Sequence, residues 1–485
     1  MSVHIEVLGN KAKLIGENDY IFLENLDLEL SYKQLGSEYS KAYIHGKWDG
    51  RRRLLTSSLY FPVGLVPRVV NFYNSCKKQI SVVDKNTYSE NNPTDIIPRL
   101  KELKKLPRYY QIESANKAID KKRGIIRVCT GGGKTLIAAL IIAAIGKKTV
   151  FYVVGKDLLW QAHKFFEDVF QKKIGIVGDG VCEIEDITIA SIWSVGKALG
   201  MGKIKPVIDD DIIVEKEVNE IYYKSIRDMI VTSKLNIMDE VHMAAAETMQ
   251  RISTEVIGEY NIGMSASPTR DDDTNLLIES IFGKIIINVS ASELIKNEFL
   301  VKPIIKFLPI PKLKGLSGKT YREIYKESVV NNDYRNGVVV KAAKSLLEQE
   351  FTILILYREI AHGKILYNML KAENINCDIL SGNDSTDVRK GIINNIENGE
   401  CKLVLASAIF DLGIDISKLD ALILAAPTKS TIKCVQRIGR VLRIYPNKTI
   451  AAVIEFADQE KYLKDHYLIR KKIYELEDGF EIQVI

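Results

Sequence analysis

Hydrophobic positions divide the chain into segments of different rhythm. From residue 1 to about 90, short apolar runs such as Val3–Leu8, Ala12–Ile15 and Tyr20–Leu23 alternate with turn-like residues, and a periodic stretch follows from Leu65 to Tyr73. This predicts a small α+β module. The polar, turn-rich stretch Ser89–Pro98 reads as a linker. Beyond it, to about Leu300, β-branched runs (Gly124–Val128, Thr149–Val154, Ile187–Ala190, Leu235–Met238, Ile262–Met264) are separated by helix-length segments. That alternation predicts parallel strands with crossover helices. A second series has candidate strands at Phe351–Leu356, Ile375–Leu380, Leu403–Ala406, Ala421–Leu424 and Thr449–Glu455, so two similar α/β units are expected in tandem. Between them, Pro303–Gly318 reads as a hinge. The insertion Gly196–Lys234, with its Asp209–Asp211 run, reads as a solvated loop. The charged, aromatic tail from Asp458 onward is expected to be helical. A packed surface helix is the favoured account of it over a nucleic-acid contact.

Length and composition narrow the class. The 485 residues carry 68 Lys and Arg against 62 Asp and Glu, a net +6, and 46% are hydrophobic. This excludes a disordered polyelectrolyte and a single small domain, and at about 100–200 residues per domain it suggests roughly three domains. The most apolar stretch, Leu136–Ile145, is too short to cross a bilayer, so no membrane span is expected. The N-terminus shows no basic segment followed by an apolar one, so no secretory signal is expected. The six cysteines are scattered without a CxxC pair, which argues against a zinc site or a disulfide framework and suggests a reducing cytoplasm. The net charge is compatible with nucleic acid without establishing it.

The strongest chemical signal is Thr130-Gly131-Gly132-Gly133-Lys134-Thr135, placed between a predicted strand and an apolar helix. Glycines allow backbone N–H groups to wrap a phosphate chain. Lys134 can reach the β- and γ-phosphates, and Thr135 can hold Mg²⁺. Val128 stands where the strict pattern has its first glycine, and a purely structural Gly-rich turn is the competing reading. About a hundred residues later, Asp239-Glu240-Val241-His242 ends a predicted buried strand. Asp239 suits a Mg²⁺ held through water, and Glu240 suits a base or orienter for water attacking the γ-phosphate. Alone, the tetrapeptide reads equally well as a solvated acidic turn; paired with Lys134 it gains weight. Ser265-Ala266-Ser267 follows another short strand. In Gln436-Arg437-Ile438-Gly439-Arg440-Val441-Leu442-Arg443, a helix would place Gln436, Gly439, Arg440 and Arg443 on one face. Such arginines can stabilise charge developing on a γ-phosphate, and a basic amphipathic helix is the alternative.

Together, in this order, these segments resemble motifs I, II, III and VI of superfamily 2 helicases of the DExH kind. Further positions match individually. Arg108, Tyr109, Tyr110 and Gln111 resemble the Q motif, where the resemblance implies that Gln111 reads the adenine edge while an aromatic or Arg108 packs on the base. Gly155–Gln161 resembles motif Ia, and Ser191–Ser194 resembles the following DNA-contacting segment. Ser381-Gly382 with Arg389 resembles motif IVa, and Ala406-Ser407 with Phe410, Gly413 and Asp415 resembles motif V. By the same resemblance, Gly413 and Asp415 lie near nucleotide and Ser407 near the nucleic-acid backbone. Gly155, Ser191 and Ser267 are mild departures from the family pattern.

Within the first module, Trp48 and Arg51-Arg52-Arg53 place an aromatic beside a basic cluster, able to contact phosphates and stack on bases. Alternation along a strand would instead leave Arg51 and Arg53 simply solvated. This segment, ahead of a DExH motor, is similar to UvsW-type phage recombination and repair helicases, and the similarity runs through most of the chain. The resemblance implies an α/β fold of two tandem RecA-like parallel-sheet domains with a small α+β N-terminal domain. The expected boundaries are 1–95 for the N-terminal DNA-binding domain, 96–300 for the ATP-binding RecA-like domain, 301–455 for the second and 456–485 for a helical tail. It also implies ATP and Mg²⁺ between the motor domains, branched or duplex DNA as partner, and remodelling of forks, Holliday junctions and R-loops in recombination, repair or replication. Protein partners are unknown from the sequence, and the cytoplasm, of the host if the chain is phage-encoded, is the expected location. An RNA helicase, a restriction-enzyme motor subunit and a non-enzymatic binding scaffold are the competing readings.

Overall fold

The computed structural model describes residues 3–201, 212–242, 246–255, 258–266, 275–313, 315–316, 318–381, 384–407, 416, 418–426, 434, 437–446 and 448–485. The chain divides into two compact units. The first comprises Met1–Val128 and Gly133–Asn288, the second Cys129–Gly132 and Val289–Ile485.

In the first unit, an eight-stranded sheet runs in the order Val181–Glu183, Gly175–Gly178, Ile187–Ser191, Thr149–Val153, Leu235–Asp239, Tyr260–Ser265, Arg123–Val128 and Ile285–Val289. From Gly175–Gly178 to Arg123–Val128 each strand pairs in parallel with the next, whereas the edge strand Val181–Glu183 is antiparallel to Gly175–Gly178. The parallel strands are buried almost throughout, as expected for a parallel sheet covered on both faces. Helix Lys134–Ile145 is apolar on nearly every side and sits inside the unit, starting after Gly133 and ending at Gly146, both left-handed.

The N-terminal module forms a four-stranded sheet, in the order Tyr60–Pro62, Lys11–Ile15, His4–Leu8 and Ser81–Asp84. Alternation along its strands buries Ile5, Val7, Ala12 and Leu14 beneath helices Tyr20–Glu29 and Val66–Ser75. Its core also takes in Leu276 and Leu277, which precede Ser280 on helix Asn275–Phe282. Arg68 pairs with Glu279 at 2.6 Å, and Asn10 Nδ2 donates to the Ser253 carbonyl at 2.8 Å. At Gly64 any Cβ would collide with the carbonyls of Glu279 and Ser280. The module is therefore packed onto helices Asn275–Phe282 and Ala246–Glu255 of the same unit. The expected linker is also pinned: the amides of Asn92 and Thr94 donate to the carbonyls of Ile145 and Ala143.

The second unit holds a seven-stranded sheet, in the order Asp378–Leu380, Leu403–Ser407, Ile353–Tyr357, Ala421–Leu424, Ile450–Asp458, Lys302–Ile310 and Glu481–Val484. Every pairing is parallel.

Three expectations change. The first part of the expected hinge is the nine-residue strand Lys302–Ile310, paired along its whole length with Ile450–Asp458. The insertion expected as a loop contains helix Ile212–Thr232, anchored in the core by Ile226, Met229 and Ile230 at i, i+3, i+4 spacing; Asp209–Asp211 lie outside the described residues. The tail is helical at Leu463–Glu475 but then returns as an edge strand, and its helix is locked by Arg470, which meets Glu455 at 3.0 Å with both side chains fully buried.

Candidate nucleotide site and nucleic-acid interface

Strand register explains why the chemical residues meet. Leu235–Asp239, Tyr260–Ser265 and Arg123–Val128 are adjacent parallel strands, with Asp239 opposite Met264 and Ser265 opposite Arg127. Their C-terminal ends therefore lie along one sheet edge, where ligands bind in open α/β sheets. Lys134 opens the helix that follows the third of these strands.

At that edge Lys134 Nζ lies 2.9 Å from Glu240 Oε1. The other carboxylate oxygen of Glu240 accepts from Ser265 Oγ at 3.3 Å, and His242 Nδ1 is 2.8 Å from the same hydroxyl. Glu240 is held in the left-handed region (φ +51), with its backbone N–H donating to Asp239 Oδ1 at 3.0 Å. A non-glycine residue in that conformation is strained and belongs to the kind of backbone found at functional sites. The two carboxylates are driven apart electrostatically. Burial, and then the charge of Glu240, push Asp239 upward, outweighing Lys134. Burial also pulls Glu240 upward, but Lys134, His242 and the Ser265 hydroxyl together bring it below the ordinary glutamate range. One carboxylate is thus a buried group in need of positive charge, while the other is already compensated.

Of the residues expected to recognise the base, Gln111 stands next to Gly133. Gln111 is buried, and its Oε1 accepts from the Arg108 backbone N–H at 2.8 Å. A Cβ on Gly133 would fall within the envelope of Gln111 Nε2, so only glycine, at φ +82, leaves that amide in place. Sequence spacing carries no sign of this approach, because helix Tyr109–Lys121 meets the loop only through tertiary packing. Tyr109 is half-exposed and Tyr110 buried, which makes Tyr109 the aromatic accessible to a base. Thr135, in the first turn of its helix, and Asp239 offer hydroxyl and carboxylate oxygens, the donor types a hard cation such as Mg²⁺ takes. Among the described residues no group of three or more His, Cys, Asp or Glu side chains could hold a metal ion, and no helix is long and apolar enough to cross a membrane.

In the second unit, residues 437–439 are helical and 440–442 form a turn, so Arg440 and Arg443 do not share the expected continuous helical face. Both line a small cavity with Leu354, Leu356, Val404 and Ala406. Burial pulls Arg443 below the ordinary arginine range. Arg437 is buried and donates to the Ala426 carbonyl at 3.4 Å, a structural role. Gln436, Gly413 and Asp415 lie outside the described residues, as do Ser267 and Phe410. Thr130, Gly131 and Gly132 group with the second unit, and Gly131, like Gly133, is left-handed.

Of the residues expected to touch nucleic acid, Ser191 and Ser407 end parallel strands, in the first and second sheets respectively. Arg51–Arg53 form a short strand paired with Ser31–Lys33. Each of the three arginines also has a partner within the module. Arg53 is bound by Asp27 and Asp49 at 2.5 and 2.7 Å, and Arg52 donates to Gln34 Oε1 at 2.6 Å. Arg51 Nη1 donates to Ser31 Oγ at 3.1 Å, and the half-buried Trp48 donates its indole N–H to the Arg51 carbonyl at 2.8 Å.

Comparison with known proteins gives three family matches: the UvsW N-terminal family of DNA helicases over residues 10–83, the res subunit family of type III restriction enzymes over 104–270, and the helicase conserved C-terminal domain over 339–445. The chain is 24% identical over 476 residues to the ATP-dependent DNA helicase uvsW of Enterobacteria phage T4, covering 91% of this chain and 90% of that protein. It is also 24% identical to the DNA 3'-5' translocase XPB2 of Sulfurisphaera tokodaii, over 69% of this chain and 78% of the relative. The structure of S. cerevisiae Dbp5 bound to RNA and ADP BeF3 shares the fold with a TM-score of 0.57 at 13% identity, covering 80% of this chain and 93% of that one. Tandem parallel sheets, a glycine loop backed by the acidic strand end, and matches to both helicase halves and to the N-terminal module agree: the chain belongs to the superfamily 2 helicases, with a UvsW-like relationship.

Proposed function

We propose that the chain hydrolyses ATP at the edge of its first sheet and uses the cycle to move along and remodel branched DNA, such as forks, Holliday junctions and R-loops. The observation that carries this is the contact of Lys134 with Glu240, itself backed by Ser265 and His242, at the ends of adjacent parallel strands. When a triphosphate arrives, Lys134 exchanges the Glu240 carboxylate for β- and γ-phosphate oxygens. Glu240 is then released to orient the attacking water or take its proton, and its hydrogen bond from Ser265 reports the change to His242. Gln111 reads the adenine edge and Tyr109 or Arg108 packs on the ring, while the backbone of Thr130–Gly133 cradles the phosphates. Thr135 and Asp239 would hold Mg²⁺, the latter through water, and the ion would supply positive charge against the triphosphate. Gln436, Arg440 and Arg443 stabilise the charge of the transition state, and Gly413 and Asp415 border the nucleotide. Ser191 and Ser407 contact the nucleic-acid backbone, with Arg51–Arg53 adding basic groups and Trp48 an aromatic on the N-terminal module. The relatives that support DNA as the track are the phage T4 helicase and the archaeal translocase, and a reducing cytoplasm is the compartment that fits the scattered cysteines.

The test is ATP turnover measured with matched linear duplex, fork, four-way junction and single-stranded DNA, alongside RNA controls. Stimulation strongest with branched DNA is expected. Equal stimulation by RNA, or none by any DNA, would overturn the reading.

A further inference from the structure

The two short strands Ser31–Lys33 and Arg51–Arg53 form the stem of a seventeen-residue excursion, residues 34–50, on the N-terminal module. The excursion is built, not slack. Gln34 N–H donates to the Gly50 carbonyl at 2.8 Å and Lys47 N–H to the Ala42 carbonyl at 2.9 Å. It contains a turn of 3-10 helix at Ser37–Tyr39 and a short helix at Lys41–Ile44, capped by the Ser40 hydroxyl. Gly50, at φ +78, packs so tightly that a Cβ would come within 2.7 Å of Ser37 Oγ. Arg52 and Arg53 tie the base of the stem to Gln34, Asp27 and Asp49.

On this fixed frame the apolar side chains point outward. Leu35 is 79% exposed, Tyr39 82% and Ile44 65%. Holding three large apolar side chains in water costs stability, so a rigid excursion that does so marks an interaction surface. Its surroundings say what it meets. Between Ser31 and Arg53 lie Lys33, Lys41, Lys47, Arg51, Arg52 and Arg53 against only Glu38 and Asp49, a net +4 in 23 residues, whereas the whole chain carries +6 in 485. Basic residues beside exposed apolar and aromatic side chains on one excursion suit a polyanion whose bases are uncovered. An intact duplex offers phosphates but covers its base faces, whereas strands that have parted offer phosphates together with base faces on which Tyr39 can stack.

We propose that residues 35–44 form a base-contacting ridge that recognises the point where paired DNA strands part. Tyr39 stacks on the first unpaired base, Leu35 and Ile44 cover the neighbouring base faces, and the lysines hold the flanking phosphates. This inference rests on the reading of the chain as a branched-DNA motor and adds to it the residues that distinguish a branch from a plain duplex. Trp48, the aromatic that the sequence points to, lies in the same excursion, half-buried, with its indole N–H donated to the Arg51 carbonyl.

The experiment compares the full chain with Tyr39→Ala/Ile44→Ala and with Tyr39→Phe. Fork and linear duplex DNA of equal length are titrated at one salt concentration, with 2-aminopurine placed at the first unpaired base. Base–aromatic stacking of roughly 1–3 kcal/mol corresponds to about 5- to 150-fold in affinity. The double variant should lose at least about tenfold in fork affinity, with linear duplex affinity changed by less than about threefold. The 2-aminopurine fluorescence change should also disappear, and Tyr39→Phe should retain both signals. Fork affinity of the double variant equal to the parent's, or an equal loss on fork and duplex, overturns the ridge. Turnover of the parent on the same DNAs is measured in parallel. A parent not stimulated by DNA removes the motor reading and the ridge with it, whereas a stimulated parent whose fork binding ignores the substitutions removes the ridge alone.

Discussion

Substituting alanine for Gly133 tests how the glycine loop and the buried Gln111 depend on one another. Gly133 has φ +82, where a residue with a Cβ costs about 1–2 kcal/mol. Its new methyl would also displace the Gln111 amide, which is buried and accepts the Arg108 N–H. Moving that amide forfeits a hydrogen bond of about 1 kcal/mol. The total is about 2–3 kcal/mol, a factor of roughly 30–150. If the loop keeps its shape, the penalty appears as lost folding stability; if the loop relaxes, it appears as weaker nucleotide binding. The informative quantity is therefore the sum, obtained from chemical denaturation of the free chain and from titration with a fluorescent ATP analogue. We expect that sum to fall by about 2–3 kcal/mol. A Gly133→Ala chain that matches the parent in both measurements to within about 0.5 kcal/mol would show that the close approach of Gly133 and Gln111 is not a constraint.

Three further outcomes follow from buried charge. Arg470→Ala leaves Glu455 buried without its counter-charge and should cost about 3–5 kcal/mol in denaturation of the second unit, whereas Arg470→Met combined with Glu455→Gln should recover most of it; equal destabilisation by both would contradict the ion-pair account. Burial, helped by Arg335, lowers His362 to about 3. With a folded value below the unfolded one of about 6.5, its contribution is intact above pH 6.5 and is lost as pH falls toward 3. The loss is about 2 kcal/mol at pH 5, so His362→Gln should flatten the acid limb of stability against pH, and an unchanged limb would count against it. Asp239 is shifted the opposite way, upward, so its favourable contribution is present at low pH and lost as pH rises. Asp239→Asn should therefore gain stability over the parent as pH is raised from about 4 to neutrality, while ATP turnover disappears; a stability difference independent of pH would refute the shift.

The sequence carried a large part of this structure. Buried β-branched runs located the strands that bear the chemistry, because a parallel sheet covered on both faces needs continuous apolar stretches and little else resembles them. The glycine loop and the acidic strand end were legible for the same reason, since each sits at the end of such a run. What remained hidden depended on tertiary neighbours. Lys302–Ile310 looks like a hinge because of Pro303 and Pro309, yet it is a central strand. Phe307 directs its carbonyl toward the Glu481–Val484 side, so residues 303 and 309, in the same alternation, face that side too. That neighbour pairs only with Ile304–Phe307, and the prolines therefore fall beyond its reach, where a missing N–H breaks no ladder. The helix Ile212–Thr232 did announce itself, through Ile226, Met229 and Ile230, but the acidic run before it obscured the pattern. The pairing of Lys134 with Glu240 and the exposure of Tyr39 depend on packing that no spacing records.

The central claim is that Lys134 grips the triphosphate whose hydrolysis drives DNA remodelling, and the most direct test is ATP turnover of Lys134→Ala on forked DNA, with fork binding measured on the same preparation. Turnover should be abolished while fork binding remains measurable. Hydrolysis at the parent's rate in that variant would place the nucleotide somewhere other than the glycine loop and contradict the account.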